Sequence, residues 1–189
     1  LSAGRSTRMG KPKALLPFRG KTLVAHSAEL FGRLGPVVIM TSGDLAEAVA
    51  PLAPNAEIGR NPRPEDGLFS SVRLGVELLP PGTRHVFVMP VDCVLPDDSV
   101  PLALLARTER SPVDVAVPVF CGKRGHPVLL SEKVTAALQS FEPTCIFSEV
   151  LGRFGPVDVP VEEEWILLNM NVPGDYNDFL ASEKKKGER

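Results

Sequence analysis

No apolar run in this 189-residue chain reaches membrane-spanning length, and no signal-peptide pattern is visible. Cysteine is scarce. Cys93, Cys121 and Cys145 are widely spaced and odd in number, which excludes a disulfide framework and a zinc ligand set and suits reduced thiols in a cytoplasm. Charge of one sign is lacking as well: a formal net charge of -2 argues against a general nucleic-acid surface. There is no internal repeat, and the length leaves little room for two independent domains. A Walker A loop is also missing, because no Gly-Lys-Ser/Thr follows the first glycine at the required spacing.

The opening segment, by contrast, is dense in chemistry. Leu1-Ser2-Ala3-Gly4-Arg5-Ser6-Thr7-Arg8-Met9-Gly10-Lys11-Pro12-Lys13 is rich in glycine and hydroxyls and carries four cations. Gly4 and Gly10 let the backbone turn tightly and approach a ligand. Successive loop N–H groups can then form a concavity for phosphate oxygens, to which Arg5, Arg8, Lys11 and Lys13 add full charges. The plain alternative is a solvated basic surface loop. Ala14-Leu15-Leu16-Pro17-Phe18 follows at once, so apolar anchors tie the loop down. The numbered sequence is expected to start inside or just after a first β-strand whose earlier residues are absent.

Along the chain, short apolar runs alternate with stretches of helical period. Strands are expected at 37–40, 86–91 (the core of it buried on both faces), 113–117, 127–130, 157–161 and 165–170. Helices are expected at 22–34, 44–52, 67–79, 99–110, 132–139, 145–154 and 173–185. The nineteen prolines fall mostly between these segments and read as loop stiffeners. This alternation implies a doubly wound α/β sheet that binds ligands at the carboxyl ends of its strands, with an antiparallel member or hairpin late in the chain. Residues 1–182 form the expected single domain, and 183–189 a frayed tail.

Four places could carry chemistry. Asp92 ends the expected strand 86–91, where an acid could hold Mg²⁺; the alternative is a turn or capping acid, a role that Asp97, Asp98 and Ser99 fit better. Asn61 opens a polar loop running into a helix whose first turn holds Ser70 and Ser71, able either to bind phosphate or a nucleoside edge or simply to cap. Gly122-Lys123-Arg124-Gly125-His126-Pro127 is a second basic turn, with glycines permitting positive φ. His126 there is either structural or placed near an anionic acceptor. Asn171, in Asn169-Met170-Asn171-Val172-Pro173-Gly174-Asp175-Tyr176, could offer a neutral oxygen to a metal.

In this order, the residues from Leu1 to Gly10 with Lys13, those from Asn61 to Gly75, Pro90-Val91-Asp92, and Arg124-Gly125-His126-Pro127-Val128-Leu129 with 169–176 resemble the MobA-like NTP transferases. The Gly-His-Pro block is most similar to the molybdenum cofactor cytidylyltransferase branch. The resemblance implies a Rossmann-like three-layer α/β/α sandwich of the nucleotide-diphospho-sugar transferase type, mostly parallel with an antiparallel strand. It implies transfer of NMP, CMP from CTP in that branch, to a phosphorylated acceptor such as molybdopterin, releasing pyrophosphate. Ala3, Gly4, Arg5, Ser6, Arg8, Lys13, Asn61, Ser70 and Ser71 would then bind the nucleotide, and Gly125 and His126 the acceptor. Arg8, Lys13 and Asp92 would be catalytic, with Mg²⁺ on Asp92 and Asn171. The implied partners are the triphosphate, the acceptor, and a molybdoenzyme or delivery chaperone, with no membrane or nucleic acid.

The sequence departs from the family pattern in three places. The proline expected at 94 is Val94, the second metal acid is replaced by Asn171, which removes one negative charge from the Mg²⁺ site, and the glycine-rich loop before the late helix reads Glu142-Pro143-Thr144-Cys145. Two rivals follow: a catalytically weak or inactive nucleotide-binding regulator or cofactor-delivery protein, and a nucleotidyltransferase acting on a sugar phosphate.

Overall fold

The computed structural model describes Leu1 and residues 12–168, with Asp44 described through its backbone. The opening loop up to Lys11, Asn171, the expected helix 173–185 and the tail lie outside the described residues.

β1 (Pro17–Phe18) and β2 (Lys21–Thr22) pair antiparallel across Arg19 and Gly20, both at positive φ. The Thr22 hydroxyl accepts from the Ala25 N–H at 3.3 Å and starts α1 (Leu23–Gly32). β3 (Val38–Ser42) leads through the short α2 (Ala46–Val49) to β4 (Glu57–Asn61), which runs parallel to β3. Next come α3 (Leu68–Glu77), β5 (His85–Val88), α4 (Ser99–Arg110), β6 (Val115–Phe120) and β7 (Lys123–Arg124). β8 (Val128–Ser131), α5 (Glu132–Ala137), α6 (Phe147–Gly152) and β9 (Val157–Pro160) complete the described set.

The main sheet runs β5-β8-β6-β7, with β9 parallel to β6. β8 is antiparallel to both β5 and β6, the late antiparallel member that the sequence leads one to expect. Strand side chains alternate between faces, and the core divides accordingly. Val115, Val117, Val128 and Leu130 pack with Phe69 and Val72 of α3, Val134 of α5 and Phe147, Val150 and Leu151 of α6. Their neighbours Ala116 and Leu129 pack on the opposite face with Leu30 of α1 and Val100 and Leu104 of α4. The architecture is therefore a three-layer α/β/α sandwich.

Between β3 and β5 lies a cleft of about 380 Å³. Leu1 lies against it: its nitrogen donates to the Met89 carbonyl at 2.7 Å, and its carbonyl accepts from the Val91 N–H at 3.0 Å. Bonds from one residue to partners two apart are those of a parallel β neighbour.

Three expectations change. Residues 164–167 form a 3₁₀ turn, not part of a strand; its Trp165 and Ile166 are both buried, in different clusters. Residues 169–170 of that expected strand are outside the described residues. The strand expected over 86–91 ends at Val88, with Phe87 and Val86 only half-buried. Segment 44–52 contains only one turn of α-helix, because Pro51 cannot continue the ladder and a 3₁₀ turn takes over at 50–52.

Candidate active site at the end of β5

Lys13 opens a single 3₁₀ turn, Lys13–Leu15. Ala14, Leu16 and Phe18 behind it are buried and Pro17 is exposed, so the chain leaving the loop is clamped by alternate side chains. Asp92 is clamped from the other side. The Cys93 N–H donates to the Pro90 carbonyl at 3.2 Å, and Cys93, Val94 and Leu95 then run into the core. Burial pushes the Cys93 thiol up to about 12, so it stays protonated and unreactive.

These two anchored turns bring together residues 79 positions apart: Lys13 Nζ donates to Asp92 Oδ2 at 2.7 Å. The side chains are 15% and 17% exposed, so water screens this charge-assisted bond far less than it would a surface pair.

The Gly-His-Pro turn approaches the same carboxylate. Burial holds His126 below the ordinary 6.5, and the negative charge of Asp92 partly offsets that effect. The Gly125 N–H donates to Pro118 O and the His126 N–H to Ile166 O, both at 2.9 Å, and the His126–Pro127 bond is cis. The His126 Nδ1 is buried with no partner among the described residues. Positive φ is found at Gly122 (76°) but not at Gly125, whose reason for being glycine is space: a Cβ there would strike the Ile166 backbone. Arg124 is engaged by Asp158 at 2.6 Å on the exposed edge of the sheet.

His26 is also held below 6.5 by burial, its Nε2 lying 2.8 Å from the Leu95 carbonyl. Both histidines refuse protons that the unfolded chain accepts. Stability is therefore complete above the unfolded value near 6.5 and is lost as pH falls below it. Urea midpoints taken between about pH 7.5 and about pH 5.5 should fall, and His126→Gln should flatten that fall.

Asn61, Ser70 and Ser71 form a separate, inward-facing group, 2%, 4% and 2% exposed. Asn61 Nδ2 donates to both Ser70 Oγ and Ser71 Oγ at 2.8 Å, its Oδ1 accepts from the Arg63 N–H at 2.9 Å, and Ser70 Oγ donates to the Gly67 carbonyl at 2.8 Å. The end of β4 is thereby tied to the first turn of α3, shaping the loop between them. Asn61→Ala leaves buried polar groups unpaired and is expected to lower unfolding free energy by about 2–3 kcal/mol, read from denaturant titration.

The 164–167 turn escaped the sequence reading. Its Ile166 carbonyl holds the His126 N–H, while Trp165 packs with Leu16, Phe18, Leu23 and Val94. Arg19 lies over both aromatic rings, 5.2 Å from Phe18 and 5.8 Å from Trp165. The one available signal was the isolated Trp in an acidic stretch. Ala3, Gly4, Arg5, Ser6, Arg8 and Asn171 lie outside the described residues.

An α/β/α sandwich that sets a lysine against an aspartate just beyond the end of β5 is a framework for handling phosphate groups. Residues 1–150 match the MobA-like NTP transferase domain, so the chain belongs to the MobA-like NTP transferase family and is a nucleotidyltransferase. A Bacillus cereus relative named "Probable molybdenum cofactor guanylyltransferase" is 26% identical over 191 residues, covering 93% of this chain and 91% of its own length. The fold is shared with the Mycobacterium sp. strain JC1 homologue of Rv0371c (TM-score 0.79, 24% identity, 96% of this chain and 92% of that one). It is shared also with Rv0371c from Mycobacterium tuberculosis in complex with manganese (TM-score 0.76, 20% identity, 95% of each chain).

Proposed function

We propose that residues 1–182 form one catalytic domain that transfers a nucleoside monophosphate from a triphosphate to a small phosphorylated acceptor of molybdopterin type, releasing pyrophosphate. The convergence of Lys13 and Asp92 carries this reading, because the reaction needs a cation for phosphate beside a carboxylate for a divalent ion.

Among the described residues no three His, Cys, Asp or Glu side chains gather into a metal cage. A single hard carboxylate oxygen fits an ion that brings most of its ligands as water and substrate phosphates, as Mg²⁺ does. The manganese of the mycobacterial neighbour supports a divalent ion of this class. When bound, such an ion neutralises phosphate charge and polarises the phosphoryl group. Asp92 holds it in this reading, with Asn171 as a neutral second oxygen.

The loop residues Ala3, Gly4, Arg5 and Ser6 cradle the triphosphate, and Arg8 and Lys13 neutralise charge on the α-phosphate and departing pyrophosphate. Asn61, Ser70 and Ser71 act by holding the loop 62–67 in shape. Gly125 and His126 face the acceptor. An acceptor phosphate oxygen forms the new bond to the α-phosphorus as the bond to pyrophosphate breaks. That oxygen is already a nucleophile, so positioning and charge stabilisation suffice.

The relative's name supports GTP as donor. The Gly125-His126-Pro127 turn favours CTP as a second reading. A nucleotide donor and three free cysteines support a cytoplasmic location. Pyrophosphate release is to be measured with GTP and CTP, with Mg²⁺ or Mn²⁺, on molybdopterin and on sugar phosphates. Release from GTP with molybdopterin is expected. A clear preference for CTP favours the second reading, and no release from either nucleotide rejects the function.

A further inference from the structure

In the reaction just proposed, on which this inference rests, Lys13 and Asp92 each have a ligand of their own, yet in the free protein they hold each other. The ammonium lies 2.7 Å from Oδ2 with both side chains mostly buried. Neither can drift far at its root. The Lys13 carbonyl accepts from the Leu16 N–H at 3.0 Å, and the Cys93 N–H closes the turn that presents Asp92. The pairing is therefore between side chains rooted in two anchored turns.

We infer that the Lys13–Asp92 pair is an exchange latch, which makes the divalent ion and the triphosphate bind jointly and disfavours either one alone. To take up an ion by itself, Asp92 must give up a charge that already neutralises it, with the ammonium left close by as a like charge to the ion. To take up metal-free triphosphate, Lys13 must leave a carboxylate that then faces the phosphates. Either event breaks the pair and sets like charges against each other, the ion against the ammonium or the phosphates against the carboxylate, and that is unfavourable.

When both ligands arrive, Lys13 passes to phosphate as Asp92 passes to the ion, and each charge meets an opposite one. The pair is opened once for two binding events, so each ligand strengthens the other. Linkage requires the two enhancements to be equal. The free enzyme therefore discriminates against stray cations and against nucleotide lacking its metal.

Calorimetric titration of the intact chain with Mn²⁺ alone, with GTP or CTP in chelator, and with both together tests this. Lys13→Met is expected to bind Mn²⁺ alone at least about tenfold more tightly than the unaltered protein. Asp92→Asn is expected to bind the metal-free nucleotide at least about tenfold more tightly. The mutual enhancement should shrink in both. Lys13→Gln, which keeps a donor without the charge, should move Mn²⁺ binding in the same direction and serves if Lys13→Met does not fold. If the lysine variants bind Mn²⁺ no more tightly, or Asp92→Asn binds nucleotide no more tightly, the pair is merely structural. That result overturns the exchange even where the unaltered protein still releases pyrophosphate. Absence of both nucleotide binding and pyrophosphate release removes the functional reading, and the exchange falls with it.

Discussion

Asp92→Asn is expected to lower pyrophosphate release by about 10²–10³-fold while the protein stays folded. The amide has the same shape as the carboxylate and still presents an oxygen to the Lys13 ammonium, so the 2.7 Å contact can persist as an ordinary hydrogen bond. What disappears is one negative charge at the rim of the sheet. A divalent ion carried by phosphates and water relies on that charge for its attachment to the protein. Lys13 loses the charge of Asp92 but keeps an oxygen there to donate to, and it is 15% exposed on a flexible side chain, so its end can also reach water. The stability loss should therefore be modest, about 1 kcal/mol, well short of the cost of a fully buried unpaired charge. Steady-state pyrophosphate release together with a thermal midpoint separates the two effects. Activity within about threefold of the unaltered protein, with an unchanged midpoint, would remove Asp92 from the mechanism.

Gly125→Ala is expected to cost as much stability as Asn61→Ala, through a different cause. The added methyl would meet the carbonyl oxygen and carbon of Ile166 and its Cβ, all nearer than real atoms approach. The obstacle is backbone, so no rotamer change relieves it. The turn 164–167 must move outward, which breaks the bond from the His126 N–H to the Ile166 carbonyl and loosens Ile166 and Trp165, 1% and 4% exposed. A loss of about 2–3 kcal/mol is expected from denaturant titration. Gly32→Ala is the matching control: a Cβ there meets nothing within 4 Å, at the end of α1, and should be neutral or slightly stabilising. Equal stability of both variants would show that the Gly-His-Pro turn does not depend on close approach to Ile166.

Much of this architecture is legible in the residues. Residues 99–110 read as a helix and form α4 over that span, because an apolar stripe and an adjacent Asp-Asp-Ser start signal agree. The run 113–117 reads as a strand because β-branched residues dominate it, and β6 occupies 115–120. β4 is not legible. Glu57-Ile58-Gly59-Arg60-Asn61 has one apolar side chain, and Gly59 is there because Met40 and Leu78 press on the strand so closely that a Cβ would clash. A strand made by what lies over it leaves little periodicity of its own. Trp165 and Ile166 mislead for a related reason. Apolar residues side by side read as a two-sided strand, whereas each drops into a different cluster from a tight turn.

The candidate site divides along the same line. The kinds of groups are visible in the chain: a basic loop ending at Lys13, an acid past a strand, a glycine-histidine-proline turn. Chemistry of this kind is a property of residue types and local spacing. Which groups meet is not such a property, since Lys13 and Asp92 are 79 residues apart and only the packing of Leu16, Phe18, Val94 and Trp165 sets their distance. Asn61, Ser70 and Ser71 read equally well as ligands or as structure, and the fold turns them toward one another because buried amides and hydroxyls must find partners. The sequence by itself determined the α/β alternation and the inventory of phosphate-handling groups, both written in local pattern. Only the tertiary structure decided that the lysine and the aspartate share a bond and that Gly125 must be glycine, because both depend on contacts between segments far apart along the chain.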